Sequence, residues 1–325
     1  MIKIAIDAMG SDLGSPIVVE AIKNFLKDYH DVEFSVVGRK EQLKPLEGMV
    51  EIINSDAVMG MEDGALEVMR QKNTSMLMAI DLVANKQAQA VVSAGSTGAF
   101  LTGATLKLKL IPNVLRAALV SPFPCENGRS VTILDIGANN ENTPAHLVQF
   151  AKIGSVFARK VGGATKPRVY LLSNGAEAKK GSPVVKEAYK LIEKENSINF
   201  KGNIEARYVL SGEADVVVCE GYPGNVLLKS IEGTASMMNK MIKDAFKMSV
   251  ISKFGYLLAS KGFKQMKGKL DYKKYGGAML LGVNGVVVKG HGSSDAYAFY
   301  NAIRVAYEMV KLNVIEELKE AMQNG

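Results

Sequence analysis

Cysteine, histidine and long apolar runs are all scarce in this 325-residue chain. Its two cysteines, Cys125 and Cys219, have no metal-ligand spacing. Cys219 closes an apolar run, which marks it as a buried thiol rather than half of a disulfide. A reduced, cytoplasmic setting is the expectation. The three histidines, His30, His146 and His291, are far apart, and neither His-Glu-x-x-His nor Cys-x-x-Cys occurs, so no metal site is expected. No uncharged apolar run reaches the length of a membrane span. Met1-Ile2-Lys3-Ile4-Ala5-Ile6-Asp7 reads as a first strand and not as a signal peptide. The usual nucleotide signatures are missing as well. Gly95-Ser96-Thr97-Gly98 is no dinucleotide fingerprint, and Gly262–Lys269 has one residue too many for a Walker A loop. Neither repeats nor a Pro-, Gly- or Ser-rich linker divides the chain, so residues 1–325 read as one unit.

What the chain does have is 47% apolar residues and a recurring arrangement. Apolar runs at Ala90–Ser93, Val131–Asp135, Arg168–Ser173, Ala214–Cys219 and Val286–Lys289 each break into a short Gly, Asn and Ser loop, then continue into a helical pattern. Further strands are expected at Ile2–Ile6, Val32–Val37 and Val50–Ile53. Helices are expected at Pro16–Asp28, Glu62–Asn85 with a break near Asn73–Ser75, Gly98–Leu110, Pro144 to about Lys160, Pro183–Glu195, Gly224–Lys247 and about Ser294–Met322. This alternation predicts an α/β fold with a doubly wound, mostly parallel sheet in a three-layer α/β/α arrangement. Loops that follow parallel strands are expected at one edge of the sheet, where ligands bind. Glycine lets backbone N–H groups approach an anion, and a following helix N-terminus carries partial positive charge. The pattern therefore points to a small anion, phosphate above all.

Each candidate residue has two readings. Gly95, Ser96, Thr97 and Gly98 form a tight turn or an anion cradle with hydroxyl donors. Lys179 and Lys180 are solvated, or one neutralises phosphate or a developing oxyanion. Asn225 caps its helix or donates its amide to a carbonyl. His291, with Gly292, Ser293 and Ser294, shapes a loop or serves catalysis. Asp7, Asp12 and Asp135 lie near strand ends, where aspartate caps helices and turns or acts as a base. The net charge of +7 suits an acidic partner or an anionic surface.

Ser236–Lys269 carries eight lysines and one acid, Asp244, interleaved with Met237, Met238, Met241, Phe246, Met248, Phe254, Leu257 and Leu258. It reads as a basic amphipathic helical hairpin turning near Ser249–Ser252. Its apolar face packs on the core or a sister subunit, or docks on a membrane surface or an acidic protein.

Seven motifs occur in order: Asp7-Ala8-Met9-Gly10-Ser11-Asp12, Ser93-Ala94-Gly95-Ser96-Thr97-Gly98-Ala99, Asp135-Ile136-Gly137-Ala138-Asn139, His146-Leu147-Val148-Gln149-Phe150, Lys180-Gly181-Ser182, Gly224-Asn225, and Lys289-Gly290-His291-Gly292-Ser293-Ser294-Asp295. Together they resemble the bacterial phosphate acyltransferases of the PlsX family, from about residue 2 to 320. Gly10-Ser11-Asp12 stands where that family usually has Gly-Gly-Asp, and Pro183 follows Ser182 where it often has Glu. The resemblance implies a fold like the isocitrate and isopropylmalate dehydrogenases, with the hairpin protruding. It implies transfer of a long-chain acyl group from acyl carrier protein to inorganic phosphate, giving acyl phosphate for phospholipid synthesis, without a cofactor. It also implies a homodimer; the basic apolar hairpin adds the expectation of peripheral contact with an anionic membrane, and no nucleic-acid partner is expected. On that basis Lys180 and Asn225 are the expected catalytic residues. Gly95–Gly98, Asn139 and His291–Ser294 would hold phosphate, and Asp7, Asp12, Asp135 and Asp295 would support them.

Overall fold

The structure, a computed structural model, describes residues 1–63, 65–270 and 276–323. The remaining residues of the expected 1–325 unit lie outside the described residues. The strands are β1 Ile2–Asp7, β2 Val32–Gly38, β3 Glu51–Asn54, β4 Ala90–Ser93, β5 Ala118–Pro124, β6 Ser130–Leu134, β7 Val169–Ser173, β8 Phe200–Glu205, β9 Val216–Val218, β10 Ala278–Leu281 and β11 Val286–Lys289. The helices are α1 Ser15–Asp28, α2 Lys40–Leu43, α3 Ala65–Arg70, α4 Ser75–Ala84, α5 Thr97–Leu108, α6 Pro144–Lys160, α7 Pro183–Glu193, α8 Gly221–Lys247, α9 Val250–Leu270, α10 Ala296–Lys311 and α11 Val314–Gln323.

All eleven strands join one sheet, in the order β3-β2-β1-β4-β11-β10-β5-β6-β9-β7-β8. Strands β1 to β4 and β11 are mutually parallel, as are β6 to β9. Between the two groups, β11–β10, β10–β5 and β5–β6 are antiparallel. Three reversals leave the groups running in opposite directions. The expectation that all five glycine loops share one sheet edge is therefore incorrect. The loops meet for another reason. Val288 pairs with Met279, Met279 with Val120, and Val120 with Leu134. The C-terminal ends of β11 and β6 thus reach nearly the same rung, and both groups release loops beside the antiparallel seam.

Strands β5, β8 and β10 are absent from the sequence reading. Pro122 and Pro124 mask β5, because proline cannot donate to a ladder. Only Ala118–Val120 of β5 pair with β10, so both prolines have β6 on one side and no strand on the other. Asn313, at φ 53°, splits the single C-terminal helix expected into α10 and α11, in a conformation asparagine tolerates.

Apolar side chains bury on both sheet faces. One core joins Phe25, Phe150, Phe157 and Phe299 to the strands, and the other joins Met76, Ile80, Phe100 and Leu119. Burying each such side chain contributes roughly 2 kcal/mol, and the two cores make the three-layer α/β/α arrangement. The hairpin consists of the outer part of α8 and of α9. α9 packs back on α8, clamped by Phe246 against Tyr256 and Phe263 at centroid distances of 5.2 and 4.8 Å. At the tip Met248, Ile251, Leu257 and Leu258 are exposed. The side chains of Lys264, Lys267 and Lys269 lie outside the described residues.

Candidate active site

Beside the antiparallel seam lies a cavity of about 790 Å³. Leu119, Ser121, Pro122 and Phe123 of β5 form its floor. Leu228, Ile231, Met238 and Ile242, along one side of α8, form the opposite wall. This body is apolar. One end is polar, where Thr97, Asn225, Lys289, His291, Ser293 and Ser294 converge.

The polar end is assembled by close backbone contact. Gly10 meets Gly95 directly, since a Cβ on Gly10 would lie 2.5 Å from the Gly95 Cα. Asp7 is fully buried beneath them. It accepts hydrogen bonds from Ser93 Oγ at 2.6 Å and Ser75 Oγ at 2.7 Å, and burial pushes its carboxyl up. The Asp12 N–H donates to the Gly292 carbonyl, as does Ser11 Oγ, which joins the first loop to the last. Ser96 caps α5, accepting from the Ala99 N–H, while its own hydroxyl donates to the Asp63 carbonyl. It is buried and does not line the cavity; the next residue, Thr97, does. Asp295 caps α10 by accepting from the Ala298 N–H at 2.9 Å. The N-terminal ends of α5 and α10 therefore lie next to the polar end, each a partial positive charge.

His291 is neutral at physiological pH, because partial burial pulls its pKa down. Its Nδ1 accepts the Ser293 N–H at 3.2 Å and lies 2.8 Å from Ser293 Oγ, an arrangement that suits the tautomer with the ring proton on Nε2. Lys289 ends β11 and is 7% exposed, its ammonium donating to the Gly290 carbonyl. Burial pulls its pKa down to about 8, against the opposing fields of Asp12 and Asp7.

The other half of the sheet delivers Asn225. Buried Asp135 accepts N–H bonds from Leu119, Gly137, Ala138 and Asn139, which fixes the loop after β6. Burial raises its carboxyl pKa, with those N–H groups opposing the shift. The Asn139 amide is spent on Asp135 Oδ2 and the Ala117 carbonyl, both at 2.8 Å, and Asn139 does not line the cavity. A Cβ on Gly221 would overlap the Asn139 carbonyl, so α8 starts hard against this loop. Asn225, one turn on, rests against Gly137 and faces the cavity.

Lys180 lies elsewhere. Its loop is closed by the Gly181 N–H on Asn174 Oδ1, and its side chain packs over Gly175. It is not among the residues lining the cavity. Ser182, two residues on, donates to Glu220 at the start of α8, which makes this loop a neighbour of the Asn225 turn. Lys289 was missed as a site residue. Its signal is a lone lysine ending a run of three valines, immediately before Gly290-His291. Among the described residues, no group of three or more His, Cys, Asp or Glu is placed to hold a metal.

A family profile described as "Fatty acid synthesis protein" matches residues 2–317. The chain belongs to this family. It is an acyltransferase, the PlsX resemblance being borne out over nearly its whole length. A phosphate acyltransferase of Streptococcus uberis is 43% identical, covering 99% of this chain and 97% of that one. Two solved structures share the fold. A branched-chain phosphotransacylase from Enterococcus faecalis V583 superposes with a TM-score of 0.60 at 19% identity, covering 95% of this chain and all of that one. A 4-hydroxythreonine-4-phosphate dehydrogenase from Klebsiella pneumoniae superposes with a TM-score of 0.55 at 13% identity, covering 95% and 99%. The expected likeness to the dehydrogenase fold class therefore holds.

Proposed function

We propose that this chain transfers a long-chain acyl group from acyl carrier protein to inorganic phosphate, forming acyl phosphate for phospholipid synthesis. The observation that carries the reading is one continuous cavity with an apolar body and a polar, helix-capped end. The apolar body takes the chain and the polar end takes phosphate.

Phosphate is the nucleophile. One of its oxygens attacks the thioester carbonyl, and the tetrahedral intermediate carries its charge on the former carbonyl oxygen. Asn225 Nδ2 and His291 Nε2–H are the neutral donors at hand for that oxyanion. The C–S bond then breaks. The proton that phosphate carried ends on the departing sulfur, leaving carrier thiol and acyl phosphate. Neutral histidine suits this role, since it donates without titrating. Holding both reactants in one cavity supplies much of the remaining acceleration. Lys180, in the loop beside the α8 start and outside the cavity, serves the incoming acyl donor.

The net charge of +7 suits an acidic carrier protein as the acyl donor. Mass detection of acyl phosphate from acyl carrier protein plus phosphate tests the reading. Comparable kcat/KM with acyl-CoA would overturn the choice of donor.

The reading includes peripheral membrane contact. Exposed Ile251, Leu257 and Leu258 stand beside Lys253 and Lys247 at the hairpin tip, and no described helix is long and apolar enough to cross a membrane. Each lysine near an anionic surface adds only about 1 kcal/mol, so a homodimer presenting two tips binds better than one chain. Ile251→Asp with Leu257→Asp should abolish flotation with anionic vesicles and leave the melting temperature unchanged. A collapsed melting temperature would make the tip a packing element instead.

A further inference from the structure

We infer that the Lys289 ammonium is the cation that binds the phosphate acceptor at the polar end of the cavity. The inference rests on the acyl-to-phosphate reading and assigns its phosphate subsite. Four observations meet here. Lys289 is more than nine-tenths buried, yet it lines the cavity. Among the described residues it has no ion pair, and the partner it does have is the neutral carbonyl of Gly290. It lines the same end of the cavity as Thr97, which opens α5, and as His291, Ser293 and Ser294, whose loop leads into α10. A buried ammonium without a counter-ion is costly to fold and is retained where a ligand supplies the missing negative charge.

The competing explanation is that Lys289 serves as counter-charge to Asp7. The Asp7 oxygens are already occupied by Ser75, Ser93 and the Met9 N–H, and its carboxyl is pushed toward the neutral form. Asp7 therefore offsets the lysine charge only in part, and Asp12, whose field is the stronger of the two, acts on it without an ion pair. The charged and titratable groups facing Lys289 are Asp7 and Asp12 from the first strand and its loop, Lys229 from α8, and His291 from its own loop. Asp7 and Asp12 hold the proton on, while burial and Lys229 drive it off.

The ammonium is thus present at neutral pH and lost as pH rises through about 8. In wild type the apparent KM for phosphate should stay level to about pH 8, then rise by up to about tenfold per pH unit, with the acyl-donor KM unchanged. Lys289→Met should raise the phosphate KM at least about tenfold at pH 7 and remove the inflection. Lys289→Arg, which stays charged, should keep phosphate binding at pH 9. Calorimetric titration with inorganic phosphate, and phosphate protection in thermal melts, give a readout independent of turnover. They separate failure of this inference from failure of the acyl-transfer reading. Phosphate binding by wild type and not by folded Lys289→Met supports the inference even if acyl phosphate never forms. Equal phosphate binding by both proteins, or an inflection that survives in Lys289→Met, overturns it.

Discussion

Gly224 packs so tightly on the backbone of Asp135 that a Cβ there would overlap the Asp135 carbonyl oxygen. The contact joins the first turn of α8 to the loop after β6, and it sets where Asn225 points. Overpacking of this kind costs about 1 to 3 kcal/mol. Gly224→Ala should therefore lower the melting temperature by several degrees and cut kcat more than Gly233→Ala, whose position is open. Equal melting temperatures and rates for the two variants would refute the placement.

Lys289 makes a prediction for stability opposite in sign to its proposed use. A lysine whose folded pKa lies near 8 against an unfolded value near 10.5 destabilises the fold while both states are protonated, below about pH 8. The penalty falls as pH rises between those values, because the unfolded chain then binds more protons. Lys289→Met should be more stable than wild type at neutral pH, on the order of 3 kcal/mol. The difference should shrink toward pH 10.5. Denaturant titrations at pH 7 and pH 10 check it, and a variant less stable than wild type at pH 7 contradicts it.

Ser96 and Thr97 are adjacent, yet their hydroxyls have different surroundings. Ser96→Ala removes a helix cap and should cost about 1 kcal/mol of stability with a small change in phosphate KM. Thr97→Ala removes an exposed hydroxyl at the cavity and should raise the phosphate KM several-fold with little change in melting temperature. The reverse pattern would place Ser96 on the ligand.

Leu228 and Ile231 narrow the apolar body from the α8 side. A tryptophan at Ile231 should exclude the end of the longest chains. Losing the burial of about three methylenes costs about 2.4 kcal/mol, roughly fifty-fold in kcat/KM for long against medium acyl donors. An unchanged chain-length profile would remove this cavity from acyl binding.

The parallel strands and their glycine loops were legible because each loop residue serves a backbone need that only glycine, serine or asparagine meets. Gly10, Gly95 and Gly224 are required by close approach, whatever the ligand. The same logic misled for Ser96 and Asn139. Their side chains are hydrogen-bonded within the protein, at a cap and at Asp135, although their types suit phosphate. The cavity floor was hidden by Pro122 and Pro124, since strand β5 pairs on one side only at those residues. Lys289 was hidden because a lysine beside a strand end reads as solvated, and its burial depends on β4, whose Ser93 pairs with it across the sheet from a distant part of the chain. The reversal between the two sheet halves depends on β5 and β10, the strands that pattern alone did not reveal.

Helix α8 runs without interruption from Gly221 to Lys247, spanning about 40 Å. Its root is wedged by two glycines beneath Asn225, its middle closes the cavity with Leu228 and Ile231, and its far end carries the hairpin tip. A rod held at one end is a lever. From Asn225 to Met248 is about 35 Å, so a tip displacement of about 6 Å corresponds to a tilt of about 10° at the root. Any surface that engages Met248 and Ile251 thereby acts on the same continuous helix that walls the cavity with Leu228 and Ile231.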